Sequence, residues 1–214
     1  MATENFTTYE EVDTAGKLTV TAPKADANGV LNGTKCYLYK DFGSNHFNAL
    51  DIDFEIHCEN QATYPVGQCG IGLSNTINAP PDWSSDDPYV CMFDISATVA
   101  YVRIMHGDGG TGEDDYVGST NTPYYCTMSK VLNNWTVSLL IYSDSGRTDL
   151  LDTLVETNFS NGLQYLYGFV AYYQTAVTRL FDGYVQNLNL NEGVVPTVPM
   201  GASMGSKLMA VGII

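Results

Sequence analysis

The chain has 214 residues, 44% of them hydrophobic and 15% charged, with 24 acidic side chains against 9 basic ones and a formal charge of −15. That length and apolar content suffice for one substantial domain with an ordinary core, and they exclude a disordered chain. A sequence pI near 4.2 sets a surface that repels phosphate backbones, so no nucleic acid is expected as a partner, while neutral ligands and cations such as calcium remain compatible.

Twenty glycines and fifteen tyrosines, with no long 3.6-period apolar window closed by helix caps, make the expected class all-β. The opening MATENFTTYEEVD has neither the basic stretch nor the apolar stretch of a secretory signal, so none is expected. No apolar run approaches the roughly 20 residues needed to span a bilayer, so no membrane span is expected either. Four N-x-S/T sequons, at Asn5, Asn32, Asn134 and Asn158, matter only in a eukaryotic secretory pathway, to which nothing else points.

Short β-rich or alternating runs then follow one another along the chain, at 17–22, 36–42, 50–58, 69–74, 89–95, 99–106, 124–129, 135–143, 149–156, 165–173 and 181–190. Between them lie turn formers such as Asn28-Gly29, Asn32-Gly33, Ser145-Gly146 and Asn161-Gly162. Strands at this spacing describe a two-sheet antiparallel β-sandwich of jelly-roll type over residues 1–192.

The run 50-LDIDFEIHC-58 alternates cleanly. Asp51, Asp53, Glu55 and His57 share one parity, and Ile52, Phe54, Ile56 and Cys58 share the other. Successive side chains on a strand point to opposite faces, so the apolar set is expected between the sheets and the ionisable set outside. Three carboxylates on one face suit acid/base work or sugar binding, and they equally suit the wet side of an ordinary sheet, which is the preferred reading.

Further along, 79-APPDWSSDDPY-89 places Trp83 between prolines and acids. An exposed Trp on a loop suits stacking on a sugar, against the alternative of a lid folded over the core. The segment 107-GDGGTGEDDYVGST-120 reads as a Gly-rich acidic loop. Its Asp108, Glu113, Asp114 and Asp115 supply oxygens of the kind that hold Ca2+, although the EF-hand spacing is missing and a solvated loop is the plainer expectation. Trp135 opens an apolar run and is expected to be buried. His46, His57 and His106 are too scattered for a metal triad.

The five cysteines, Cys36, Cys58, Cys69, Cys91 and Cys126, are odd in number and lack CxxC spacing. They are expected to be buried, reduced thiols, with Cys58 and Cys91 on apolar parities beside Phe54 and Phe93. Tyr165, Tyr167, Tyr172 and Tyr173 crowd one run on both parities, so one set is expected in the core and the other toward a groove or a neighbouring subunit. The tail 193–214 carries Gly, Pro, Met and small residues with a single charge at Lys207. It is expected to dock on another copy or a partner, making the protein a homo-oligomer or part of a larger assembly.

The run YKDFGSNHF at 39–47, followed by DFEIH at 53–57, YLYGFVAYY at 165–173 and FDGYVQNLNL at 181–190, resembles the concanavalin-A-like lectin/glucanase superfamily. It is similar in particular to compact versions found in phage and environmental prokaryotic proteins. That superfamily includes lectins, carbohydrate-binding modules, laminin-G-like adhesion domains, glucanases and virion surface proteins, and fold alone does not choose among them.

The glucanase branch has a signature strand E-x-D-x-E, whose first Glu is nucleophile and whose last is general acid/base. Here Asp51, Asp53 and Glu55 occupy the matching positions. Asp51 is one methylene short of that pattern, and only Trp83 and Trp135 are available where such clefts use several stacking tryptophans. The resemblance therefore implies a non-enzymatic lectin-like surface or structural protein, of a virion or filament type, with glycan binding through Asp51, Asp53, Glu55 and Trp83. The alternatives are a carbohydrate-binding module and a hydrolase using Asp51, Asp53 and Glu55. The expected location is a virion surface or an extracellular assembly.

Overall fold

The computed structural model describes residues 3–31, 34–59, 67–78, 87–94, 98–106, 114–132, 134–173 and 180–191. Trp83, Asp108, Glu113 and the tail 193–214 lie outside the described residues. In chain order the strands are β1 (Glu10–Asp13), β2 (Leu18–Val20), β3 (Lys24–Leu31), β4 (Lys35–Asp41), β5 (Leu50–Cys58), β6 (Gly67–Ser74) and β7 (Pro88–Asp94). They continue as β8 (Ala100–His106), β9 (Asp114–Gly118), β10 (Tyr124–Lys130), β11 (Val137–Tyr142), β12 (Leu150–Glu156), β13 (Tyr165–Tyr173) and β14 (Leu180–Leu190). Two single 3₁₀ turns, Phe6–Thr8 and His46–Asn48, are the only helical elements among the described residues, and no helix is long and apolar enough to cross a membrane.

The strands form two antiparallel sheets of seven, ordered β1-β4-β13-β6-β7-β8-β9 and β12-β11-β10-β5-β14-β3-β2. The two sheets form a sandwich, as the alternating runs imply. One continuous core joins Leu38, Ile71, Val102 and Phe169 of the first sheet to Ile52, Phe54, Ile56, Met128, Leu139 and Val185 of the second. Each such side chain is worth about 1.5–3 kcal/mol when fully removed from water. β5 runs through the middle of the second sheet with β10 on one side and β14 on the other. The carboxylate strand is therefore held by two ladders rather than exposed at an edge.

Three strands escaped the sequence pattern. β3 contains Asn28-Gly29, expected as a turn. Gly29 takes a φ of +67° inside the strand, where the β14 register slips between Phe181 and Gly183. The Gly29 N–H is met by the Asp182 carboxylate. It is a bulge, which uses the same left-handed residue as a turn without reversing the chain. β9 lies within the segment 107–120 expected to be a loop: Asp114–Gly118 pairs with β8 from Ile104 to Ala100. β1 is too short and acidic to show an apolar period, yet it pairs with β4 from Tyr39 to Cys36.

The expectation for Trp135 is overturned, since it is 61% exposed. Alternation holds only within a ladder, and β11 begins two residues later at Val137. The Trp135 carbonyl instead accepts the Phe159 N–H at 3.0 Å, tying this backbone to the loop before β13.

All five cysteines are buried. Cys58 sits in the main core. Cys91 does not. It belongs to a second apolar cluster on the outer side of the first sheet, with Tyr89, Met105, Tyr167 and Val170. Tyr37, Tyr39 and Tyr165 pack against that cluster. The Tyr167 hydroxyl donates to the Thr76 carbonyl at 2.7 Å and accepts the Asn78 N–H at 2.9 Å, so the chain after β6 folds over this face. Gly70 pairs with both Cys91 and Val170, and a Cβ there would run into the Val90 carbonyl and the Cys91 Cα.

Candidate functional site

The parity of β5 is as expected, but the outer face is not the wet one implied, because Glu55 and His57 are buried among neighbours from β10 and β14. Ile52, Phe54 and Ile56 are at most 1% exposed between the sheets, and Asp51, Asp53, Glu55 and His57 take the outer face. Register then lines up cross-strand rows on that face. One row runs Tyr142, Tyr125, Glu55, Gln186, Lys24 across β11, β10, β5, β14 and β3. The next runs Leu140, Thr127, Asp53, Asn189, and a third places Ser138 and Ser129 beside Asp51. Tyr184 stands opposite His57, and the two rings stack at 4.7 Å and 21°.

Each carboxylate already has its own donors. Glu55 is only 6% exposed: its Oε1 accepts the Tyr184 hydroxyl at 3.0 Å and Gln186 Nε2 at 2.7 Å, and its Oε2 accepts Asn187 Nδ2 at 3.4 Å. Asn187 reaches it from a bulge between Gln186 and Asn189, in the left-handed region at φ +56°. Asp53 Oδ1 accepts Thr127 Oγ1 at 2.5 Å and lies 3.3 Å from Arg147 Nε. Asp51 Oδ1 accepts Asn191 Nδ2 at 2.9 Å. A retaining hydrolase needs one carboxyl able to give up a proton and a second free to attack carbon. Here all three carboxylates accept hydrogen bonds from neighbouring side chains.

Arg147 is the residue the sequence did not single out. It sits in the β11–β12 turn at φ +53°, where Asp144 organises the loop by accepting the Thr148 and Asp149 N–H groups at 2.9 and 2.7 Å. Those bonds hold the Asp144 carboxyl below its ordinary range, led by the one from Asp149. The guanidinium is thereby laid over the sheet, with Nη2 3.4 Å from the Phe54 carbonyl and 3.5 Å from that of Cys126. Only the fold brings Arg147 to Asp53, which lies far away in sequence.

The tyrosines around the row are half-buried. Burial, with Glu55 beside it, raises the Tyr184 hydroxyl well above its ordinary value. Burial also raises Tyr125 and Tyr142, so all three are neutral donors at neutral pH. Burial pushes His57 below 6.5, leaving a neutral imidazole. Lys24 Nζ lies 4.1 Å from the Tyr184 ring centroid and 2.7 Å from Asp26 Oδ2. Within this dense network His57 Nδ1 and Asn189 Oδ1 are buried without a hydrogen-bond partner, while Arg147 Nε faces the Asp53 carboxylate at 3.3 Å.

Of the residues expected to hold a cation, Asp108 and Glu113 lie outside the described residues, and Asp114 and Asp115 each have a partner. Asp115 forms a two-point ion pair with Arg103, Oδ1 to Nε at 2.5 Å and Oδ2 to Nη2 at 2.7 Å. Asp114 caps the Val155 N–H of β12 at 3.1 Å, joining the edges of the two sheets. Among the described residues no group of three or more His, Cys, Asp or Glu could hold a metal ion.

No protein-family model matches the chain, and no curated protein matches it. Solved structures do. A basic winged bean lectin bound to Tn-antigen is 8% identical, with 88% of this chain and 95% of that one covered at a TM-score of 0.55. The exoplasmic/lumenal domain of VIP36, in its Ca2+/Man3GlcNAc-bound form, is 7% identical over 89% of this chain and 86% of that one, at 0.54. The carbohydrate recognition domain of Emp47p is 9% identical over 87% and 91%, at 0.58. The likeness is one of fold: the chain is a concanavalin-A-like β-sandwich.

Proposed function

We propose that the chain is a non-enzymatic, lectin-like protein that binds carbohydrate on the outer face of the β5 sheet. The observation that carries this is the face itself. Half-buried Tyr125, Tyr142 and Tyr184 border a fixed array of carboxylate, amide, hydroxyl and guanidinium groups. A sugar presents apolar ring faces and a rim of hydroxyls that both donate and accept, and an aromatic-bordered polar surface complements both. Lectins of the same fold, bound to Tn-antigen and to Man3GlcNAc, support the class of ligand but not the place. Hydrolysis by Asp51, Asp53 and Glu55 is disfavoured because each is already engaged.

The finer part of the proposal concerns setting. The tail 193–214, with Val194, Val195, Leu208, Met209, Ile213 and Ile214 and a single charge at Lys207, has the composition of a docking segment, so the sandwich would serve as the exposed head of a larger homo-oligomeric, virion- or filament-type assembly.

A glycan array probed with the full chain tests the binding, followed by calorimetry on Asp53→Asn and Tyr184→Ala. Binding of at least one glycan, weakened in both variants, is expected. Retention of full affinity in both would move the site elsewhere on the molecule.

A further inference from the structure

We infer that residues 193–200 dock on the turn bearing Leu132 and Trp135 of their own chain, and so anchor the rest of the tail to that end of the sandwich. This rests on the docking reading of the tail and names the surface that the tail meets first. Leu132 is 56% exposed and Trp135 is 61% exposed, both in the connection between β10 and β11. Their backbone is tied down. The Asn134 N–H donates to the Val131 carbonyl at 3.0 Å, and Asn134 Oδ1 accepts the Thr136 N–H at 3.1 Å. The Trp135 carbonyl is held by the Phe159 N–H. Two large apolar side chains thus stand in water on a fixed turn, and residues 131–136 carry no charge.

The chain leaves the sheet at the same end. Leu190 pairs with Ile52, and the Asn191 N–H donates to the Asp51 carbonyl at 2.9 Å. Lys130 stands opposite both Leu50 and Val137. The end of β14, the start of β5, the end of β10 and the start of β11 therefore share one rim. From β14 to β11 is three strand spacings, about 14 Å, which about five extended residues cover. The segment that begins there reads Gly-Val-Val-Pro-Thr-Val-Pro-Met. Val195 and Val198 each precede a proline, which favours extended backbone at both, so docking orders little that sequence has not already restricted. Val194, Val195 and Val198 come within reach of Leu132 and Trp135, and no charged group has to be stripped of water. The short tether decides the occupant. It holds the segment near its own turn at an effective concentration of about a millimolar, well above that of a second copy in dilute solution. Residues 201–214, with Leu208, Met209, Ile213 and Ile214, are then presented to a partner from this rim.

The test is acrylamide quenching of Trp135 in the full chain carrying Trp83→Phe, which leaves Trp135 as the single tryptophan. Subtracting the emission of a Trp135→Phe chain from that of the unsubstituted one gives the same reading without altering Trp83. Quenching is expected to rise by about twofold or more, with a red shift of emission, when Val195→Asp and Val198→Asp are added together, or when Leu132→Ser is added alone. Before those additions the shielding should be the same from about 1 to 100 μM chain, as a tethered contact requires. Equal quenching with and without the added substitutions overturns the inference. Shielding that fades on dilution assigns the turn to a second copy's tail and overturns it as well. Light scattering on the same samples keeps the two readings apart: a chain that assembles with Trp135 freely quenched loses the anchor alone, and a monomeric chain with Trp135 shielded keeps the anchor and loses the assembly.

Discussion

Replacing Lys130 with methionine should abolish a rise in stability above pH 8 that the unsubstituted protein shows. Lys130 ends β10 on its inward parity and is 1% exposed. Its Nζ donates to the Ser160 carbonyl at 2.9 Å and to Asn161 Oδ1 at 2.7 Å. Both acceptors are neutral. Burial of the ammonium pushes its pKa from 10.5 down to about 8. Below pH 8 folded and unfolded chains both carry the proton, and stability does not respond. Between about 8 and 10.5 the unfolded chain keeps the proton that the folded one has released, so unfolding takes up a proton and its free energy rises with pH. At about 1.36 kcal/mol per pH unit the whole window is worth at most about 3 kcal/mol, of which about 2 falls between pH 8 and 10.

Urea melts of both proteins at intervals from pH 7 to 10 read the difference directly. Thiols act in the opposite sense. Burial pushes Cys36 up to about 12 and raises Cys126 as well, so their contribution is full below the ordinary thiol range and is lost as pH climbs above it. Both proteins retain these cysteines, so that effect cancels in the difference. The wild-type minus Lys130→Met stability should grow by about 2 kcal/mol between pH 8 and 10. A difference that stays flat or shrinks would refute the placement of a charged amine among neutral carbonyls.

No hydrolysis of β-1,3, β-1,4 or mixed-linkage glucans is expected; activity above background that disappears in Glu55→Gln would reverse that. Phe54→Ala, at a position with 0% exposure between the sheets, should cost about 3–5 kcal/mol in chemical denaturation. Gly70→Ala forces a Cβ into the Val90 carbonyl and should give an insoluble or grossly destabilised chain, read by the soluble fraction on expression. Deleting residues 193–214 should leave a folded sandwich that no longer assembles, checked by circular dichroism and light scattering; unfolding of the truncated chain would place the tail in the core.

The sandwich was legible wherever one face of a strand is wet. β10 alternates buried and half-buried residues along its length, running one residue past its implied end to Lys130, because a strand buried on one side must write that asymmetry into its sequence. Failures fall where another constraint overrides the period. Asn28-Gly29 carries turn chemistry that the fold spends on a bulge. Asp114–Gly118 is strand because β8 supplies a ladder, not because Asp-Asp-Tyr-Val-Gly prefers one. Cys91 and Tyr167 follow outward parity and are nonetheless buried, since the chain after β6 folds across that side of the sheet. A period of two says which face a residue takes and nothing about whether that face is later covered.

The site divides along the same line. Its central carboxylates are local and could be read from five residues of one strand. What those carboxylates do is not local. It depends on Arg147, Tyr184, Gln186 and Asn191, drawn from a turn and a strand about 90 to 140 residues further along the chain. An E-x-D-x-E-like strand suggests catalysis only while its carboxylates are imagined free. Once the second ladder of β5 is in place, donors from β14 and a left-handed arginine convert the same three residues into fixed acceptors. Fixed acceptors are well suited to holding the hydroxyls of a ligand that stays intact. The partners of Asp51, Asp53 and Glu55, more than their spacing, therefore argue for binding over cleavage.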